Sequence, residues 1–322
     1  MTGASALGPG NEFERIRRIL AQLGSKATGV GDDCAILTDG QGSLVVSTDL
    51  SIEQVHFRTD WISLQEIGWR AAAGALSDLA AEGARAVGIL VSVGVPAGAA
   101  ETAPVEVMAG AGDAAASVGG VVLGGDLSRA EQWIVNVTVI GRAMRPVTRA
   151  GAGAGDELWV TGRLGGARAA LTAWLRGEAP ATQAREAFAH PVPRLEAGQH
   201  LAAAGATAMI DLSDGLGGDA GHLAAASAQA LDIDLALLPL HPDVAVAATA
   251  EGVSAAEFAG RGGEDYELFV ALPPAFTAAE AARLARETGV PLTRIGTVKT
   301  GAGVRFHEGG TEVRLTGFDH FA

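Results

Sequence analysis

Six aspartates in this chain lie at or within a few residues of the ends of four short apolar runs. Asp32-Asp33 lead into residues 34–37, Asp49 follows Leu44-Val45-Val46, Asp126 follows Val121-Val122-Leu123, and Asp211 and Asp214 follow Met209-Ile210. Short apolar runs bounded by glycine and aspartate read as buried strands. Residues 87–95, 133–141, 158–161, 233–238 and 264–272 read as further strands, with 121–123 stopping at Gly124-Gly125. Between them, 12–23, 64–82, 105–117, 166–175 and 221–228 carry helical spacing or alanine-rich helical character. Strands and helices alternating in both halves predict an α/β (α+β) fold. A length of 322 residues accommodates two domains, each able to bury its own core. The Gly/Ala stretch 145–155 is the expected boundary, giving an N-terminal domain over 1–150 and a C-terminal α/β domain over 151–322. Residues 190–194, with two prolines, read as an irregular link.

Charge narrows the function. The chain carries 23 Lys+Arg against 37 Asp+Glu, a net charge of −14. Without a basic run, it has no electrostatic footprint for nucleic acid or for an anionic membrane. Its only lysines are Lys26 and Lys299, neither in a P-loop, and the protein-kinase signature set is missing. Any phosphate chemistry here therefore rests on metal ions, backbone amides and arginine. Cys34 stands alone, which excludes a disulfide framework or a cysteine-rich zinc site and fits a reducing cytoplasm. Residues 1–10 show no leader-peptide pattern, and 86–100 is too short and too broken by Gly and Pro to span a bilayer.

Taken singly, each strand-linked aspartate reads as a turn former or a helix N-cap. Taken together, and with Asp78 added, they form a set of carboxylates with few lysines to pair with. Convergence of such a set demands cations, and oxygen-only ligands select hard ions such as magnesium. Because magnesium takes only one or two carboxylates and completes its shell with water and phosphate, several ions and a polyphosphate are implied. That is equipment for phosphoryl transfer. Arg149 reads either as a phosphate contact or as a solvated loop arginine, and His56 either as structural or as functional. The string Gly162-Arg163-Leu164-Gly165-Gly166 lacks a full dinucleotide fingerprint.

The motifs GDDCAIL, STDLSIEQVHF, LSDLAAEGA, GGD, TRAGAGAGD, P-V-P-R, DLSDGL, GGEDYEL and FDHF run in order from Gly31 to Phe321. In this set and spacing the chain resembles the thiamine-monophosphate kinase family, a branch of the superfamily that also holds aminoimidazole ribonucleotide synthetase, selenide water dikinase and a hydrogenase maturation protein. The resemblance implies a two-domain fold whose N-terminal ATP/Mg-binding domain carries a sheet that forms a homodimer interface. It also implies ATP-dependent conversion of thiamine monophosphate to the diphosphate, by direct in-line transfer without a catalytic base. Carried over by position, Asp33, Ser47, Thr48, Asp49, Asp78, Asp126, Asp211 and Asp214 would be magnesium ligands, directly or through water. Gly125, Asp126, Arg149 and Ser213 would contact ATP, and His56, Glu264 and Phe318 would hold the thiamine substrate.

The chain departs from the family pattern in a few places. Asn11 stands where a glycine is usual and Ala75 where an asparagine is frequent, the latter removing a hydrogen bond near Asp78. Gly165-Gly166-Ala167 lacks the usual Asp or Ser, and Phe318 replaces a Trp or Tyr that could donate a hydrogen bond. Every proposed metal ligand is retained. Two other functions share these features: an aminoimidazole ribonucleotide synthetase-like ligase, and a non-catalytic nucleotide-binding assembly factor. Acceptor-dependent ATP turnover separates them from the kinase.

Overall fold

The computed structural model describes residues 6–38 and 42–321, so the start of the 1–10 segment lies outside the described residues. After helix α1 (Asn11–Leu23), a first sheet forms from β1 (Ala35–Thr38), β2 (Ser43–Ile52), β3 (Arg85–Pro96), β4 (Val121–Ala130) and β5 (Ile134–Ala143). Their spatial order is β1-β2-β5-β3-β4, parallel only between β3 and β4. One face, carrying the buried Val135, Val137 and Val139, is covered by α2 (Leu64–Ala81) and α3 (Ala103–Ser117). A capping box starts α2: Ser63 Oγ accepts from the Glu66 N–H at 3.3 Å, and the Glu66 carboxylate accepts from the Ser63 N–H at 2.7 Å. The backbones of α2 and α3 approach so closely that a Cβ on Gly68 would lie 1.8 Å from the Val107 carbonyl oxygen, and one on Gly110 1.8 Å from that of Gln65. Glycine is required there by helix packing.

The second sheet contains β6 (Glu157–Thr161), β7 (Ala208–Asp211), β8 (Ala230–Asp234), β9 (Leu268–Leu272), β10 (Leu292–Lys299), β11 (Gly303–Glu308) and β12 (Thr311–Val313). Their order is β12-β11-β8-β10-β6-β9-β7, with β8 and β11 parallel. Helices α4 (Gly166–Leu175), α5 (Thr182–Ala189), α6 (Leu195–Ala203), α7 (Leu216–Ser227), α8 (Val244–Glu251), α9 (Ala255–Gly260) and α10 (Ala278–Thr288) connect and flank these strands. Strands β7 and β9 are buried along their whole length, as their uninterrupted apolar runs require. Helix α2 lies against β2 and β5 of the first sheet and also against β7 of the second. It is therefore the element that relates the two sheets. Among the described residues no helix is long and apolar enough to cross a membrane.

The mixed α/β architecture matches the alternating pattern, while several element ends differ from expectation. Strand β2 runs on past Asp49 to Ile52, so Ser47-Thr48-Asp49 lie inside a strand and not at its end. Strand β4 continues through Gly124-Gly125 to Ala130. Glycine is accommodated because a Cβ on Gly125 would sit 1.8 Å from the Val91 carbonyl oxygen, just after a register shift between Ile89 and Leu90. Strand β8 stops at Asp234, whose carboxylate caps the Ala236 N–H at 3.0 Å and opens a 3₁₀ turn over Leu235–Leu237. Strand β9 begins only at Leu268, because Glu264 (φ 65°) and Tyr266 (φ 50°) take left-handed conformations that break extension. Helix α7 begins at Leu216, five residues before the expected start.

Candidate active site

Side-chain alternation along β2 sorts the STD motif into two faces. Ser47 and Asp49 pair with Val139 and Val137 and share the face covered by α2. Thr48 pairs with Thr138 on the outer face, its hydroxyl 3.1 Å from that of Thr138. Asp126 is also exposed, and the register Asp126–Ser92–Asn136 sets it on that outer face of the edge strand β4. Of the proposed ligands, Asp33, Asp78 and Asp211 come together, each offering an oxygen within 4.8 Å of the others. The three arrive from the loop before β1, from α2 and from the end of β7.

The electrostatics of this group are strongly anionic. Burial, followed by the charge of Asp33, pushes Asp211 up to about 8 and Asp49 up to about 6. Asp78 is driven well above the usual carboxylate range by burial and then by Asp49, Asp211 and Asp33. Asp32, through burial and the adjacent Asp33, rises to about 6. The Ser77 hydroxyl donates to Asp211 Oδ2. Arg149 binds the group from the opposite side: its Nε donates to Asp33 Oδ1 at 3.1 Å, its Nη2 to the same oxygen, and its backbone N–H to Asp32 Oδ1 at 3.0 Å. Burial pulls the guanidinium down, but the charge and hydrogen bonds of Asp33 outweigh it and keep Arg149 protonated. Asp33 Oδ2 is buried and has no hydrogen-bond partner. An orphaned carboxylate oxygen among three convergent acids is the chemistry of a hard-cation site.

The DLSDGL and GGEDYEL motifs are laced together by their backbones. The Glu264 N–H donates to the Ser213 carbonyl at 2.7 Å, the Tyr266 N–H to that of Leu212 at 3.0 Å, and the Leu212 N–H to that of Glu267 at 2.8 Å. A Cβ on Gly215 would lie 2.6 Å from the Gly262 carbonyl oxygen, and one on Gly263 2.7 Å from that of Ser213. Arg194 of the P-V-P-R motif anchors this pair of loops through a two-pronged ion pair with Glu267, at 2.9 and 2.6 Å. Ser213 therefore lies between Asp211 and Asp214, directly beside Glu264.

Next to these loops are the residues expected to hold substrate. The Ile52 N–H donates to His56 Nδ1 at 3.0 Å. Burial and the neighbouring His320 lower the His56 pKa, so its ring is neutral with the proton on Nε2. The His56 and His320 ring centroids are 5.1 Å apart, and Phe318 meets His320 edge-on at 4.8 Å. The Phe318 N–H donates to the Asp214 carbonyl at 3.0 Å, which seats the closing FDHF segment on the DLSDGL loop. Glu264 is ion-paired with Arg70.

Several members of this neighbourhood were not singled out by sequence reasoning. Asp219 and His222 form a second group with Asp214, their ligand atoms within 4.8 Å of one another. Asp219 also accepts from the Asp214 N–H at 3.2 Å. Burial, then the charge of Glu12, pushes Asp214 up to about 6, whereas burial lowers His222 to about 4. An acid and a histidine three residues apart on one helix face were the available signal, lost when the helix was expected to begin at Gly221. Arg70 and Glu82, inside an alanine-rich helix and at its end, were read simply as helix. Glu82 is fully buried and held well above its ordinary range by burial and by Asp32 and Asp33.

A sheet flanked by two helices, with carboxylates gathered between it and a second α/β sheet, defines the class. Residues 31–143 match the family model for the AIR synthase related protein, N-terminal domain. The chain is 38% identical to a thiamine-monophosphate kinase of Mycobacterium tuberculosis over 263 residues, covering 80% of this chain and 79% of that protein. A thiamine-monophosphate kinase of Haemophilus influenzae is 31% identical, over 96% of this chain and 98% of its own length. Among solved structures, that of AaThiL complexed with AMPPCP and TMP superposes with a TM-score of 0.86 at 29% identity, covering 97% of each chain. The chain belongs to the thiamine-monophosphate kinase family.

Proposed function

We propose that this chain is a cytoplasmic, magnesium-dependent kinase that transfers the γ-phosphate of ATP to the phosphate of thiamine monophosphate, giving thiamine diphosphate. The observation that carries this reading is the convergence of Asp33, Asp78 and Asp211 around an orphaned Asp33 oxygen, faced by Arg149. The AaThiL complex with AMPPCP and TMP supports the choice of donor and acceptor. The donor set fits magnesium: Asp33, Asp49, Asp78, Asp211 and Asp214, with Ser47, would hold the ions, whose role is to neutralise charge on the transferring phosphoryl group. Arg149 and Ser213 would orient the nucleotide. Asp126 and Thr48 would reach nucleotide and cation from the outer face of the first sheet, and Gly125, next to Asp126 on β4, would contact the nucleotide. His56, Glu264 and Phe318 would hold the thiamine end of the acceptor. An acceptor phosphate is already ionised at pH 7, so positioning suffices and no side chain need act as base.

We assign the dimer contacts and most nucleotide and cation contacts to a domain over residues 1–150, and the α/β unit that adds Asp211, Ser213 and Asp214 to 151–322. The protein is proposed to be a homodimer through the first sheet. Strand β4 is an edge strand exposed along nearly its whole length, with Leu127 at 62% exposure and Val121 and Leu123 close to half exposed. An apolar unpaired edge of this kind needs a cover. Leu127→Glu is expected to convert dimer to monomer in sedimentation velocity; an unchanged sedimentation coefficient would argue for another interface.

The assay of the main reading incubates the protein with ATP, magnesium and thiamine monophosphate and follows ADP and thiamine diphosphate. Equimolar appearance of both is expected. ATP bound without acceptor-dependent turnover would instead point to an assembly factor, and turnover raised by a different acceptor to a ligase-like relative.

A further inference from the structure

Arg70 sits near the middle of α2 at 4% exposure, where a guanidinium stripped of water needs partners for its charge. Its partners come from distant parts of the chain. Nη1 donates to the Phe188 carbonyl at the end of α5, the guanidinium carbon lies 3.7 Å over the Phe188 ring, and Nη2 pairs with Glu264 Oε1. Glu264 is constrained a second time by its backbone, with φ at 65° and its N–H bound to Ser213. Its side chain nevertheless keeps 25% exposure, so one oxygen is taken by Arg70 while part of the carboxylate stays open to a ligand. Both Arg70 and Glu264 are close enough to influence the His56 ring, which offers an N–H from Nε2. The same helix carries Asp78 eight residues further on, about 12 Å along its axis at about 1.5 Å per residue. A single rigid helix thus connects the cation-binding group to the arginine that orients Glu264.

We propose that Arg70 is a positioning residue for the acceptor: it holds the Glu264 carboxylate in one orientation, to receive the amino-bearing heteroaromatic end of an acceptor whose phosphate lies at the Asp78 end of α2. This rests on the reading of Glu264 as an acceptor contact. The planar guanidinium matters because it binds a carbonyl, a ring face and a carboxylate at once, a set that the ammonium of lysine reproduces only in part. Loss of Arg70 leaves Glu264 free to swing and should weaken acceptor binding while leaving the nucleotide site intact.

The test is steady-state kinetics with thiamine monophosphate and ATP varied separately, alongside calorimetric binding of thiamine monophosphate. It compares wild type, Arg70→Met, Arg70→Lys, Glu264→Gln and the Arg70→Met/Glu264→Gln double variant. Arg70→Met is expected to raise KM for thiamine monophosphate about 30-fold, with KM for ATP changed less than about 3-fold. Arg70→Lys should recover part of the loss. The double variant should be no worse than the poorer single one, since both remove the same contact. Should Arg70→Met fail to fold, the Lys variant and Glu264→Gln carry the same KM comparison. Equal losses toward both substrates, or additive effects, would overturn the proposal. A wild type that neither binds nor phosphorylates thiamine monophosphate overturns the parent reading together with this one. A Glu264→Gln enzyme with normal acceptor KM removes Glu264 from the substrate contacts and this role of Arg70 with it. An active wild type and a sensitive Glu264→Gln enzyme, beside an unaffected Arg70→Met enzyme, overturn only this one.

Discussion

Asp211→Asn is expected to lower kcat for thiamine diphosphate formation by about 10³-fold, the scale seen when a group stabilising transition-state charge is removed. In the same variant the metal-free protein should melt at a higher temperature than wild type. Both effects come from one carboxylate. Asp211 is 3% exposed, its pKa is raised to about 8 by burial and by Asp33, and it sits with Asp33 and Asp78 in a group that resists the presence of three charges. Asparagine keeps the shape and still accepts the Ser77 hydroxyl, but it is neutral without taking up a proton, so the cost of burying a titrating acid beside Asp33 disappears and the apo fold gains. With cation and nucleotide present the sign reverses, because the removed charge is then an attractive one. Steady-state kinetics and thermal melts with and without magnesium measure the two halves separately. Wild-type turnover would reduce Asp211 to a cap at the end of β7, and an unchanged apo melting temperature would show that the carboxylates do not strain the fold.

The second large effect is pH dependence of the metal-free protein. Asp49 and Asp214 titrate at about 6 in the folded chain and Asp211 at about 8, against about 4 for an unfolded aspartate. Between those values the folded state holds more protons than the unfolded state, so stability falls as pH rises. The stabilising contribution is complete below about 4, drops through about 6 and is lost above about 8. Apo melting temperature should therefore decline from pH 5 to pH 8.5. Magnesium with ATP should flatten or reverse that slope, because ligation requires the deprotonated acids and binding releases their protons. Calorimetry at pH 7 in buffers of different ionisation enthalpy should register that release. A melting temperature that rises with pH in the apo state would mean that the acids are not gathered as described.

The fold class was legible because β-branched runs and alanine-rich segments alternate in both halves; strand order was not, and α5, α6, α8–α10 and β10–β12 went unread because their stretches are short or alanine-rich. The acids were legible as a set. Their facing was not, because Ser47, Thr48 and Asp49 look equivalent until β2 is known to continue, and only then does alternation send Thr48 away from Asp49. Asp126 has the same history: glycines that read as a strand end turned out to lie within an edge strand. Helix α7 was trimmed because Gly215, Gly217 and Gly218 look like a loop, yet a Cβ on Gly217 would lie 2.9 Å from Thr316 and one on Gly218 3.2 Å from Gly317. Small residues there serve packing against the closing segment, not flexibility. Arg70 was illegible in principle, since its meaning depends on Phe188 and Glu264, more than 100 positions away.

The backbone lacing of the 211–215 and 262–267 loops has a consequence for how such a protein can change. Each loop is the mould of the other: the glycines at 215 and 263 leave space only for the partner's carbonyls, and Arg194 clamps the pair from below. A substitution that reshapes either loop displaces cation ligands and acceptor contacts together. New acceptor preferences would therefore arise more readily at the His56 turn, which touches the site without being laced into either loop.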